Sequence, residues 1–121
     1  MNDTDATVRI FYDRLAPYYA LLYGDWEQAL CEQGHALSRL LGNLGVGMSD
    51  PVLDASCGIG TQTLGLAQLG YRLTASDISQ GAIDRLNYEL RVRELVAATH
   101  VDDIRRLHQV HPATLAAILI G

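Results

Sequence analysis

The chain has 121 residues, of which 49% are hydrophobic and 19% charged; this suffices for one packed domain and argues against intrinsic disorder. Its formal net charge is −5, it has arginines but no lysine, and no basic cluster exceeds Arg91/Arg93 or Arg105-Arg106. That balance speaks against a broad nucleic-acid or anionic-membrane surface.

Residues 4–16 read as a helix, with Val8, Phe11, Tyr12 and Leu15 at helical spacing. Pro17 interrupts the pattern, and Tyr18, Tyr19 and Tyr23 follow. Asp25 is the expected N-cap of a second helix, with Gln28 completing a capping box. Trp26, Leu30, Leu37, Leu40, Leu41 and Leu44 then form one apolar stripe, ended by Gly45 and Gly47. After Ser49 the rhythm changes to short apolar runs alternating with helical segments. Residues 51–55 predict a buried strand, 56–60 a tight glycine turn, 61–69 a helix ended by Gly70, and 71–76 a second strand. Ser79 is the expected cap of a helix whose apolar side carries Ile83, Leu86 and Leu90. Residues 97–101 predict a third strand, 104–110 a helical turn, and 116–120 a fourth strand.

Strands separated by helices make β-α-β units, so the expected architecture is α/β: a Rossmann-like, doubly wound parallel sheet behind an N-terminal helical leader. Residues 1–48 form the leader and 49–121 the sheet-bearing part. In such sheets ligands sit beyond the carboxyl ends of the strands, and the fourth strand runs to Gly121. The chain is therefore expected to be the N-terminal part of a longer protein and to lack acceptor-binding residues that follow the fourth strand. Met-Asn-Asp-Thr-Asp at the start does not read as a signal peptide, and no run of about 18 apolar residues predicts a membrane span. Cys31 and Cys57 have no CxxC or HExxH context, so neither a metal site nor a disulfide framework is expected. A cytoplasmic protein fits best.

The chemistry-bearing stretch is Asp54-Ala55-Ser56-Cys57-Gly58-Ile59-Gly60, which ends a strand and opens a helix. Glycines there let backbone approach a ligand, and the helix start offers free N–H groups. Asp77, at the end of the next strand, can accept hydrogen bonds from a ribose diol. A dinucleotide site would want G-x-G-x-x-G; Thr63 stands at the third position, and Asp54 would repel a pyrophosphate. A carboxylate favours an ammonium or sulfonium instead, so the turn suits a cationic nucleoside, with S-adenosylmethionine the leading candidate. The competing structural readings are plain turn glycines for Gly58 and Gly60, which the strand before and the helix after disfavour, and core packing for Tyr18, Tyr19, Tyr23 and Trp26, which their near-helical spacing favours.

The stretch Val52 to Thr61 resembles motif I of class I S-adenosylmethionine-dependent methyltransferases. The segment Thr74-Ala75-Ser76-Asp77-Ile78-Ser79 resembles motif II, and Val101-Asp102-Asp103-Ile104-Arg105 the acidic motif after strand 3. The resemblance covers about residues 50–120. It implies that the Asp54 region and the Gly58 and Gly60 backbone hold the methionine portion, with Ser56 replacing the first glycine of the commonest motif. It implies that Asp77 holds the ribose with Ile78 against the adenine face, that Asp103 accepts from the adenine amino group, and that Ile104 packs on the ring. The run from Phe11 to Trp26 is similar to the leader of small-molecule N-methyltransferases of the glycine/sarcosine type. That likeness implies a cover over cofactor or substrate from Tyr18, Tyr19, Tyr23, Trp26 and Arg14.

The expected function is methyl transfer from S-adenosylmethionine to a small molecule, with an amine as candidate acceptor. No nucleic-acid or membrane partner is expected. A sulfonium methyl needs no leaving-group acid, and alignment of the two reactants can carry most of the catalysis; no catalytic base is assigned. A non-catalytic nucleoside- or partner-binding module is the alternative. An NAD-dependent oxidoreductase fragment is a weaker one, disfavoured by Thr63 and Asp54.

Overall fold

In a computed structural model of the chain, the described residues are 14, 25–55, 57–58, 60–103, 105 and 117–120. The expected leader helix (Arg14 apart), the tyrosines Tyr18, Tyr19 and Tyr23, the turn residue Ser56, Ile104 and most of the 104–110 turn lie outside them. The elements are α1 (Trp26–Asn43), β1 (Val52–Ala55), α2 (Thr61–Gln68), β2 (Leu73–Asp77), α3 (Gln80–Val92), β3 (Ala98–Val101) and β4 (Ala117–Ile120).

The four strands form one sheet in the order β3-β2-β1-β4, and all neighbours are parallel. The chain therefore steps outward from β1 through β2 to β3, then returns to the other side of β1. The reversal puts a topological switch point beyond the carboxyl ends of β1 and β4, where α/β sheets bind ligands. The register sets Asp54 opposite Ala75 and Ala55 opposite Ser76.

One sheet face is covered by the three helices among the described residues. Val52 and Leu73 pack with Leu41 of α1, Leu66 and Ala67 of α2, and Val46 and Tyr71. Ala75 packs with Leu30 of α1, Leu64 of α2, and Leu86 and Leu90 of α3. Side chains alternate faces along a strand, so Leu73 and Ala75 share this face. Full burial of a leucine is worth about 1.5–3 kcal/mol, and Leu30, Leu41, Leu64, Leu66 and Leu86 are all essentially buried.

Helices α1 and α2 meet backbone to backbone at Gly34 and Gly65. A Cβ on Gly65 would lie 2.6 Å from the Leu30 carbonyl oxygen and 2.9 Å from the Gly34 nitrogen. This contact explains why part of the leucine stripe faces water. Leu30, Gly34 and Leu41 form the buried line of α1, whereas Leu40 and Leu44 are 52% and 68% exposed. The leucine stripe predicts a seam of large side chains, but the close approach needs the residue with none.

The caps follow expectation, with one correction. Asp25 Oδ1 accepts from the Gln28 N–H at 3.0 Å, and Ser79 Oγ accepts from the Ala82 N–H at 3.0 Å. The Gln28 side chain does not close a capping box; its amide donates to Glu32 at 2.8 Å. The second strand begins at Leu73 rather than Tyr71. Tyr71 instead sits in the core, its hydroxyl 2.9 Å from Ser38 Oγ. At the other end of α1, Arg93 pairs with both Glu27 and the buried Glu89, tying α1 to the end of α3.

Candidate adenosyl-ligand site

Asp54 is the third residue of β1 and is completely buried. Its Oδ2 accepts from Thr63 Oγ1 of α2 at 2.7 Å. Its Oδ1 has no hydrogen-bond partner among the described residues. Burial disfavours the charged form and the nearby Asp77 carboxylate adds repulsion, so the Asp54 carboxyl is raised to about 6 despite the Thr63 hydrogen bond. By sequence, Thr63 stands where a dinucleotide turn has its third glycine. The structure makes it the partner of Asp54. An acid in β1 and a hydroxyl one turn into the next helix is the signal that could have found the pair.

Between them the chain turns through Gly58 and Gly60, with φ of 57° and 96°. L-residues rarely adopt that left-handed backbone. Among the described residues nothing lies within 4 Å of a Cβ placed at Gly58, whereas a Cβ at Gly60 would strike the buried Leu86. Gly60 is also the N-cap of α2, with no side chain to cap it. Cys57 lies beside the turn, half-buried against the second core cluster. Burial and the Asp54 and Asp77 charges push its thiol far up, so it is a packing residue rather than a nucleophile.

Asp77 ends β2 and is tied to the turn. Its Oδ2 accepts from the Gly58 N–H at 2.8 Å and its Oδ1 from the Ser79 N–H at 2.9 Å. Each carboxylate oxygen has about two acceptor directions, so one remains on each oxygen for a ligand hydroxyl. Ile78, the next residue, is half-buried. The Asp77 carbonyl accepts from the Asp102 N–H at 3.0 Å, which holds the loop after β3 against the tip of β2. Asp102 is buried and its Oδ1 accepts from the Asp103 N–H. Asp103 is half-buried and its carboxylate is engaged by Arg105. Ser76, adjacent to Asp77, is buried with a hydroxyl that has no partner among the described residues.

The tertiary structure thus gathers Asp54, Gly58, Gly60, Asp77, Ile78 and Asp103 at the carboxyl ends of three neighbouring strands. Trp26 lies at the start of α1, partly buried against the second core cluster, and Arg14 is exposed. Among the described residues no group of three His, Cys, Asp or Glu side chains is placed to hold a metal ion, and no helix is long and apolar enough to cross a membrane.

Comparison with known proteins places this geometry. A family model described as "Methyltransferase domain" matches residues 52–120. No curated protein matches the chain. Among solved structures, magnesium protoporphyrin IX methyltransferase from Synechocystis, with bound S-adenosylhomocysteine, is 19% identical with a TM-score of 0.75, covering 98% of this chain and 58% of that one. That likeness concerns the fold alone. Coclaurine N-methyltransferase, bound to N-methylheliamine and S-adenosylhomocysteine, is 27% identical with a TM-score of 0.60, covering 73% and 26%. A protein solved in work on conversion of a disulfide bond into a thioacetal group during echinomycin biosynthesis is 31% identical with a TM-score of 0.60, covering 69% and 34%. The chain spans between about a quarter and six-tenths of the length of these structures. With its strand ends, glycine turn and acidic tips all inside the matched 52–120 segment, the chain belongs to the methyltransferase domain family.

Proposed function

We propose that this chain binds S-adenosylmethionine at the tips of β1, β2 and β3 and forms the cofactor-binding part of an enzyme that methylates a small molecule, with an amine as the acceptor. One observation carries the reading. Asp54, whose buried Oδ1 has no partner among the described residues, and Asp77, hydrogen-bonded to the glycine turn, flank a backbone position at Gly58 that no described residue closes. An orphaned buried carboxylate oxygen fits a cationic ligand, and a turn with no Cβ at that point fits close approach of that ligand to backbone.

S-adenosylmethionine supplies an electrophilic methyl group on a sulfonium, which an acceptor lone pair takes as the sulfur departs neutral. The chain's own part is to bind and orient. Asp54 offers negative charge to the methionine end, with Ser56, Gly58 and Gly60 forming the turn around it. Asp77 accepts from the ribose hydroxyls through the directions that Gly58 and Ser79 leave free. Ile78 and Ile104 supply apolar surface for the base, and Asp103 an acceptor for its amino group. Residues 1–48 form a leader that covers the site through Tyr18, Tyr19, Tyr23, Trp26 and Arg14, as in N-methyltransferases of the glycine/sarcosine type, and 49–121 form the cofactor-binding unit. The small-molecule acceptor is supported by the acidic net charge and by the likeness to coclaurine N-methyltransferase. A cytoplasmic location is supported by two cysteines that are both free.

Isothermal titration of the chain with S-adenosylmethionine, S-adenosylhomocysteine and NAD tests the reading. Saturable binding of the adenosyl ligands is expected, lost in Asp77→Ala and weakened in Gly58→Val. Binding of NAD without the adenosyl ligands would overturn it.

A further inference from the structure

A guanidinium at the end of α3 grips the first turn of α1. Arg93 is the C-cap residue of α3, and Glu27 is the acid in the first turn of α1. Arg93 Nη1 donates to Glu27 Oε2 at 2.8 Å and Nη2 donates to Glu27 Oε1, so the fork closes on both carboxylate oxygens across 66 positions of chain. Arg93 Nε donates to Glu89 Oε2 at 3.1 Å, and the other Glu89 oxygen pairs with Arg85 at 2.8 Å. Side-chain exposure falls from 66% at Glu27 to 16% at Arg93 and 9% at Glu89. The arginine is therefore fixed from its own helix, and Glu27 is the half that docks onto it. A planar guanidinium can offer a bidentate fork and a third donor at once, which an ammonium cannot.

We infer that Arg93 is a positioning residue for the glycine turn: through Glu27 it seats the start of α1, and the start of α1 seats Trp26 on the apolar cluster that supports the turn. This inference rests on the adenosyl reading of that turn. Trp26 precedes Glu27 at the head of α1 and packs against the cluster of Leu30, Leu64, Ala75, Leu86 and Leu90. Cys57 of the turn packs against the same cluster. Leu86 occupies the space that a Cβ on Gly60 would need. The turn thus rests on side chains from α1, α2 and α3, and the ion pair fastens α1 to α3. Neither Arg93 nor Glu27 has to touch the ligand to matter. A ligand that requires the supported turn is weakened by the fraction of chains in which α1 is not seated. By linkage, bound ligand then favours the seated state.

The test is calorimetric titration of S-adenosylhomocysteine into the full chain and three variants: Glu27→Ala, Arg93→Gln and the double substitution. Arg93→Gln takes one partner from the buried Glu89 and strains the fold; Glu27→Ala leaves Glu89 paired with both arginines and is the informative single variant. Glu27→Ala should bind about two- to fivefold more weakly, the range set by an ion pair with one exposed partner. The loss should not recur on the Arg93→Gln background, which separates it from the effect of an acid at a helix start. Trp26 is the only tryptophan of the chain, so its emission reads the seat directly. It should shift to the red in folded Glu27→Ala and return toward that of the unaltered chain at saturating S-adenosylhomocysteine. Affinity within twofold of the unaltered chain, the same loss on both backgrounds, or an emission that neither substitution nor ligand moves overturns the positioning role and leaves the adenosyl site standing. If none of the four proteins binds S-adenosylhomocysteine, the adenosyl reading fails and the positioning role with it.

Discussion

Burial of Asp54 makes a quantitative prediction about pH. In the fold its carboxyl is raised from 3.8 to about 6, first because burial disfavours the charge and also because Asp77 repels it. An acid whose pKa is higher in the folded state binds more protons there than in the unfolded chain. Stability from this group is therefore greatest below pH 4 and falls as pH rises through 4 to 6. The shift is about two units, and each unit is worth about 1.4 kcal/mol. Ionising Asp54 in the fold thus costs about 3 kcal/mol, fully expressed above about pH 7. Glu27 is lowered by its Arg93 hydrogen bond and acts in the opposite sense, so the comparison must isolate Asp54. Urea unfolding of the chain and of Asp54→Asn from pH 4.5 to pH 8 does so, because Asn cannot ionise. The stability of Asp54→Asn relative to the unaltered chain should improve by about 2–3 kcal/mol across that range. A difference that stays constant within about 0.5 kcal/mol, the scatter of independent sites, would refute the placement of Asp54 as a buried acid at this site.

The same proton should be read in binding. A cation beside Asp54 favours the carboxylate, so S-adenosylmethionine should bind about tenfold more weakly at pH 5 than at pH 7, with proton release near pH 6 detectable in buffers of different ionisation enthalpy. Thr63→Val removes the side-chain hydrogen bond that stabilises the Asp54 carboxylate; it should destabilise by about 1–3 kcal/mol at pH 8 and by less at pH 4.5, measured by urea unfolding. Gly65→Ala should destabilise by about 1–3 kcal/mol although alanine is the better helix former, because its Cβ would meet the Leu30 carbonyl at 2.6 Å. Gly42→Ala, also helical but with no described residue within 4 Å, should be neutral or stabilising by up to about 1 kcal/mol in the same assay.

Much of the framework was legible from pattern alone because its determinants are local. Apolar runs of four or five residues, the caps Asp25 and Ser79, and the glycines Gly45 and Gly70 after α1 and α2 depend on neighbours within a few positions in the chain. The parallel sheet followed from strands alternating with helices, and the acidic strand tips followed from spacing. What the sequence could not reveal depends on contacts between segments. Leu40 and Leu44 look like core on any helical wheel, but the approach of α1 to α2 is decided by Gly34 meeting Gly65, more than 30 positions apart. Thr63 looked like a defect in a glycine pattern until the fold placed its hydroxyl on Asp54.

The amino-acid order by itself determined the class of fold, the family to which the chain belongs, and which carboxylates stand at the strand tips, since each of these is written in short-range periodicity and motif spacing. Only the tertiary structure decided the state of those carboxylates. Asp54 is shielded and proton-hungry, Asp77 is bound to the glycine turn, and Asp103 is held by Arg105. The physical reason is that an acid's charge, hydration and free acceptor directions depend on what packs against it. In Asp54 and Asp77 that neighbour comes from a distant part of the chain.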